Sequence, residues 1–191
     1  SSWFLIFVRW HLLLKNSKIF IPKKDSLLIF FSGFALAVIP GKAGDLIKSQ
    51  LLKTKFGIPR SRTVPIVILE QLYTVIGLVF LSFFGIWYFE LGMYVIGFSA
   101  TLLVFVFVLI SNRKIFNKVV LLLEKWKFTS KFVEPLSSSY DTIKKSIRGP
   151  IAFYASALTI IYWLIEAIVV YFVLLAFGID SIEFLKVIPT Y

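Results

Sequence analysis

The chain has 191 residues, 59% of them hydrophobic and only 16% charged, and its mean hydropathy is +0.88. A soluble domain of this size cannot hide so much apolar surface, because its surface-to-volume ratio demands a more polar covering; the bilayer is the natural solvent. The net charge of +11 falls in blocks between apolar runs, as in cytoplasmic loops facing anionic headgroups, and with no RNA- or DNA-binding motif beside it a nucleic-acid partner is excluded.

Taken in chain order, the first apolar run covers 3–14, about 12 residues, too short to span alone. Lys15, Lys18, Lys23 and Lys24 follow, with Pro22 as a break. Residues 27–40 are apolar again, but as a helix they reach only about 21 Å at 1.5 Å per residue, short of a hydrocarbon core of about 30 Å. A basic block at 42–62 precedes a run at 64–89 that is long enough to cross and carries Glu70. After a turn at Glu90, Leu91 and Gly92, a second crossing is predicted to about Ile110. Residues 113–148 hold nine basic and three acidic side chains. Within them Ile115, Phe116, Val119, Val120 and Leu123 recur at helical spacing, which predicts an interfacial amphipathic helix, with Ser137, Ser138 and Ser139 as punctuation. Pro150 opens the last crossing, 150–177, with Glu166 near its middle and Asp180 and Glu183 beyond it.

The expected fold class is therefore all-α, a polytopic helical membrane protein in which 1–191 form a single transmembrane domain and 113–148 a cytoplasmic, basic, amphipathic connection. No signal peptide is visible, and both termini lie in apolar segments, so the domain reads as incomplete at both ends. Both flanks of 27–40 are basic, and the positive-inside rule puts both on the cytoplasmic side. A segment too short to span with two cytoplasmic flanks is best read as re-entrant, which bilayers tolerate where protein or a wet cavity covers the exposed backbone. The other assignment, a short true span, puts one strongly basic flank outside. The expected location is the cell membrane, multi-pass, with basic loops cytoplasmic.

Around the break the residues suggest a headgroup site. Pro40 and Gly41 interrupt the apolar segment, Gly44 removes side-chain bulk, and the spacing of Leu46, Ile47, Leu51 and Leu52 predicts a helix from about Ala43. Asp45 falls in its first turn, within reach of Lys42 and Lys48. Free backbone N–H groups beside two lysines suit a phosphate. Lys53, Lys55, Arg60 and Arg62 read instead as an ordinary basic anchor on anionic lipid. Glu70 and Glu166 each need a cavity, a cation or a proton, since an unpaired carboxylate near mid-membrane is costly. The plainer alternatives are a solvated helix end for Glu70 and a hydrogen bond to Tyr162 for Glu166. With no Cys and one His, His11, neither a metal site nor a catalytic residue is assigned, and no cofactor is expected.

The stretch at 38–77, "VIPGKAGDLIKSQLLKTKFGIPRSRTVPIVILEQLYTVIG", resembles the signature of the lysylphosphatidylglycerol synthetase transmembrane-region family. "RWHLLLK" at 9–15 is similar to the basic, aromatic end of that family's early helix, and "YWLIEAIVVYFVLLAFGID" at 162–180 to its later span. The resemblance implies an all-helical, lipid-translocating domain. It also implies that Pro40, Gly41, Lys42, Gly44, Asp45 and Lys48 shape the headgroup site, with Glu70 at the acidic position of the next span. Two positions depart from the pattern: Gln71 stands where the family often has Arg, and Thr74 where Asp is common, so a charge network there is weakened or replaced. The soluble aminoacyl-transfer domain of bifunctional members is absent from these 191 residues, so the chain alone is not expected to synthesise an aminoacyl lipid.

The resulting expectation is a protein that flips an anionic or polyprenyl-linked lipid, or an aminoacylated phospholipid, between leaflets, with Glu166 also lining the path. Its partner is a membrane lipid or lipid-linked sugar. The alternative is a membrane subunit of a glycosyl- or aminoacyl-transfer system acting on a lipid carrier. A third reading is a scaffold that docks a synthase through 113–148. Association with a synthase or glycosyltransferase and formation of a homo-oligomer stay open.

Overall fold

A computed structural model of the chain describes residues 2–35, 43–83, 92–125, 133–147, 149–179 and 184–187, and among these all regular structure is helical. In order the helices are α1 (Trp3–Asn16), α2 (Lys23–Ala35), α3 (Ala43–Phe56), α4 (Arg60–Ser82), α5 (Gly92–Ser111), α6 (Arg113–Glu124), α7 (Val133–Ser146), α8 (Pro150–Ala176) and the short α9 (Phe184–Val187). Two of them, α4 with 23 residues and α8 with 27, are long and apolar enough to cross a membrane. At 1.5 Å per residue α4 is about 34 Å long and α8 about 40 Å, against a hydrocarbon core of about 30 Å. Half of the apolar window of α4 is buried, whereas α8 turns Phe153, Tyr154, Val169 and Phe172 outward. Lipid, not water, is the solvent in which such a face is stable.

Cross-helix contacts give the directions. Ser2 meets Glu166 and Arg9 meets Thr159, so α1 and α8 run antiparallel. Phe7 packs on Phe30, and Trp3 on Phe34, so α2 returns antiparallel along α1. Lys55 pairs with Asp25, and Lys48 lies over Gly33 two turns further in, so α2 and α3 form an antiparallel helical hairpin. Arg9 also touches Thr74, Gly77 abuts Thr159 and Trp163, and Leu81 packs with Ala167, so α4 and α8 run parallel.

These directions collect the basic residues at one end. The end of α1 (Lys15, Lys18), the start of α2 (Lys23, Lys24), the end of α3 (Lys53, Lys55), the start of α4 (Arg60, Arg62) and the end of α7 (Lys144, Lys145) all lie there. Direct bonds tie them: Asn16 Nδ2 donates to Ser146 Oγ at 2.9 Å, and Arg62 donates to the carbonyls of Ser17 and Lys18. The core between the helices is built from Trp10, Leu13, Leu14, Phe30, Leu52, Ile66, Leu69 and Tyr73, joined by Ile143 of α7 and Ala155 of α8.

Within 113–148, the residues from Ile115 to Leu123 whose spacing predicts a helix lie in α6, and a second helix, α7, follows. The two helices fold on each other, Phe116 and Val120 of α6 enclosing Tyr140 of α7, with the Phe116 and Tyr140 rings 4.6 Å apart. Ser137, Ser138 and Ser139, expected to punctuate the stretch, continue inside α7. Serine is only mildly unfavourable in a helix, and burial of Tyr140 and Ile143 on the same helix outweighs that preference.

Candidate functional site

Lys48 is held on α3 so that its side chain crosses to α4. Its Nζ lies 2.7 Å from Glu70 Oε2, and both side chains are only 4% exposed. The ammonium sits 5.0 Å from the centre of the Trp10 ring and 5.5 Å from that of Phe30, which adds cation–π attraction from two sides. The aliphatic stem runs across Gly33, where a Cβ would stand 3.0 Å from Lys48 Cγ and Cδ. The bare Cα of Gly33 leaves the lysine stem room between α2 and α3. Either charge alone at this depth would keep most of its desolvation penalty; together they cancel much of it.

Glu70 is the tenth residue after Arg60, about 15 Å along α4 at 1.5 Å per residue, and it is 3% exposed. It is not the solvated helix end that the sequence alternative allowed. The reason is tertiary packing: α3 lies against this face of α4, and Lys48 covers the carboxylate.

A second buried cation lies next to the pair. Arg9, 4% exposed, donates from Nη1 to Thr159 Oγ1 at 2.7 Å and from Nη2 to Thr74 Oγ1 at 3.3 Å. Thr74 in turn donates to the Glu70 carbonyl at 2.9 Å, and Thr159 to the Ala155 carbonyl at 2.7 Å. Arg9 thereby ties α1 to α4 and α8, one residue from the Trp10 ring that faces Lys48. Thr74 meets the guanidinium with a neutral hydroxyl. The sequence reading passed over Arg9 as part of a basic helix end. Its signal was present: an arginine inside the apolar run 3–14, where ionisable residues are expensive.

Glu166 is not part of this cluster. Its Oε1 accepts from Ser2 Oγ at 2.6 Å. Because Thr159 is level with Thr74 through Arg9, Glu166 lies about 16 Å beyond Glu70 toward the far end of the bundle, at 1.5 Å per residue. Between the two levels α4 and α8 touch closely at Gly77, where a Cβ would stand 2.6 Å from the Trp163 ring and 2.7 Å from Thr159 Cγ2.

Of the remaining expected site residues, Pro40, Gly41 and Lys42 lie outside the described residues, as does the side chain of Asp45, while Gly44 lies in the first turn of α3. The helix expected from about Ala43 does begin there. The basic residues read as an anchor serve the ends of helices. Lys55 bonds Asp25 at 2.5 Å, Arg60 donates to Gln50, and Arg62 holds the end of α1. Among the described residues no group of three or more His, Asp or Glu is placed to hold a metal.

An ion-paired lysine and glutamate, a bridging arginine and long apolar helices are together on one chain whose residues 1–188 match the family model described as Lysylphosphatidylglycerol synthase TM region. The chain belongs to this family. Comparison with curated proteins finds no match, and neither does comparison with solved structures. Membership in the Lysylphosphatidylglycerol synthase TM region family, with α4 and α8 of spanning length, marks a membrane protein and points to a function tied to membrane lipid.

Proposed function

We propose that this chain carries the headgroup of a charged lipid between leaflets: an anionic or polyprenyl-linked lipid, or an aminoacylated phospholipid. The observation that supports it most is the Lys48–Glu70 pair, buried about 15 Å from the basic end, near half the thickness of a hydrocarbon core. A lysine and a glutamate that neutralise each other in the resting state can each take an opposite charge on a passing headgroup, so the headgroup never enters the apolar interior without a counter-ion. Glu166, further along, supplies a second such station toward the other leaflet.

The arrangement in the membrane follows from charge. The basic end faces the cytoplasm, as lysine- and arginine-rich loops do. The α2–α3 hairpin enters from that side and returns to it, since helices of 13 and 14 residues are about 20 Å long and do not cross. Resemblance assigns Pro40, Gly41 and Lys42, with Gly44, Asp45 and Lys48 of α3, to the headgroup. α6 and α7 lie at the cytoplasmic interface, with Leu121 and Leu122 available to the lipid.

Reconstitution of the full chain in vesicles with a labelled lipid tests this. Lipid should change leaflet at a protein-dependent rate, and Lys48→Met and Glu70→Gln should each slow it while the protein stays folded. Unchanged translocation in both variants removes the pair from the path. Group transfer onto a lipid carrier in detergent, with no vesicle, favours a subunit of a transfer system instead.

A further inference from the structure

The basic end carries a cavity of about 470 Å³ that shares no residue with the Lys48–Glu70 site. It opens between the end of α1, the start of α4 and the end of α7. Three cations, Lys18, Arg62 and Lys145, line it together with the hydroxyls of Ser17 and Thr142 and one carboxylate, Asp141. Asp141 already has a cation of its own outside the cavity, Arg113 Nη1 at 3.6 Å. None of the three lining cations has a carboxylate partner among the described residues.

The backbone acceptors at this corner are engaged as well. Arg62 Nη2 donates to the carbonyls of Ser17 and Lys18 at 3.3 and 3.5 Å, and Tyr73 Oη donates to that of Ser146 at 2.9 Å. Beside the Asp141 carboxylate and the Asn16 amide, the space is faced by two ammonium groups, a guanidinium and hydroxyls, and Ser17 Oγ is buried with no hydrogen-bond partner. A concavity with surplus positive charge and donors to spare suits an anion with several acceptor oxygens.

Lys18 adds a separate observation. α1 ends in a Schellman turn, with Ile19 N–H on the Leu14 carbonyl at 3.0 Å and Lys18 N–H on that of Lys15 at 2.9 Å. Lys18 itself is left-handed, with φ of 55°, the one non-glycine residue with positive φ among those described. Glycine takes that conformation without strain, as Gly57 does after α3 with φ of 67°. A lysine in a conformation that glycine takes without strain points to a use for its side chain.

We propose that this corner binds a phosphate-bearing group, with Lys18, Arg62 and Lys145 as counter-charges and the hydroxyls of Ser17 and Thr142 as donors. The phosphate comes either from the headgroup of an anionic phospholipid in the adjacent leaflet or from a soluble phosphate compound.

The test uses the full chain in phosphatidylcholine nanodiscs. Glycerol phosphate is titrated in solution by calorimetry, and phosphatidylglycerol is doped into the discs and counted on the protein by native mass spectrometry. Saturable binding of one probe is expected, and which probe saturates names the source. The triple variant Lys18→Ala, Arg62→Ala, Lys145→Ala should weaken it about tenfold or more, as the loss of charge-assisted hydrogen bonds implies. A control triple of exposed lysines, Lys24→Ala, Lys114→Ala, Lys118→Ala, should stay within about twofold, and Asp141→Asn should bind more tightly. Lys18→Gly alone should weaken binding while holding or raising the melting temperature, which separates lost binding from lost folding. The proposal is overturned if neither probe saturates, or if the control triple loses as much as the site triple.

Discussion

Lys48 Nζ of α3 and Glu70 Oε2 of α4 are 2.7 Å apart, and the lysine stem that reaches across runs over Gly33 of α2. Each residue of this pair makes the other's burial tolerable.

Removing one partner should therefore cost more than removing both. Lys48→Met or Glu70→Leu alone strands a buried charged group, and each should destabilise the protein by about 3–5 kcal/mol or force a change of protonation. The double variant Lys48→Met, Glu70→Leu should recover a large part of that loss, because apolar residues of similar volume need no compensation. Thermal unfolding in detergent across the four proteins measures the coupling. Strictly additive losses contradict direct pairing.

Gly77 should be sensitive to size. Gly77→Leu forces α4 from α8 at Trp163 and Thr159, and overpacking of this kind costs about 1–3 kcal/mol. Trp163→Ala, introduced with Gly77→Leu, empties the space that the new side chain needs and should restore part of the stability. If the loss is the same with or without Trp163→Ala, the close approach is not what limits this position.

The gathering of basic residues at one end can be read chemically, because the chain has no cysteine to remove first. Lys24→Cys, Lys55→Cys, Arg62→Cys and Lys145→Cys, made singly, should all react with a membrane-impermeant maleimide from the same side of sealed vesicles. A split between Lys24 and Lys55 on one side and Arg62 on the other rules out the shared end. Labelling of all four from the outside of intact cells reverses the orientation proposed above.

Several features could be read before any coordinates. Composition and apolar runs determined the helical membrane class, because lipid-exposed backbone has so few ways to satisfy its hydrogen bonds. The "PGKAGDLIK" stretch pointed to the start of α3 near Ala43 and to the family, since helix punctuation is local chemistry. Lys48 and Glu70 were each singled out as costly residues in search of a partner, yet nothing in their spacing of 22 residues joins them. An interaction between helices depends on which faces the core turns together, and periodicity along one helix does not carry that information. The same holds for Arg9, whose two threonine partners lie 65 and 150 residues away. It holds too for 113–148, where the helical spacing of 115–123 marked α6 but carried no sign of its packing on Tyr140 of α7. The sequence by itself determined what solvent this protein needs and which charges are expensive in it. Only the tertiary structure decided which charges meet, because burial is a property of neighbours and not of the chain.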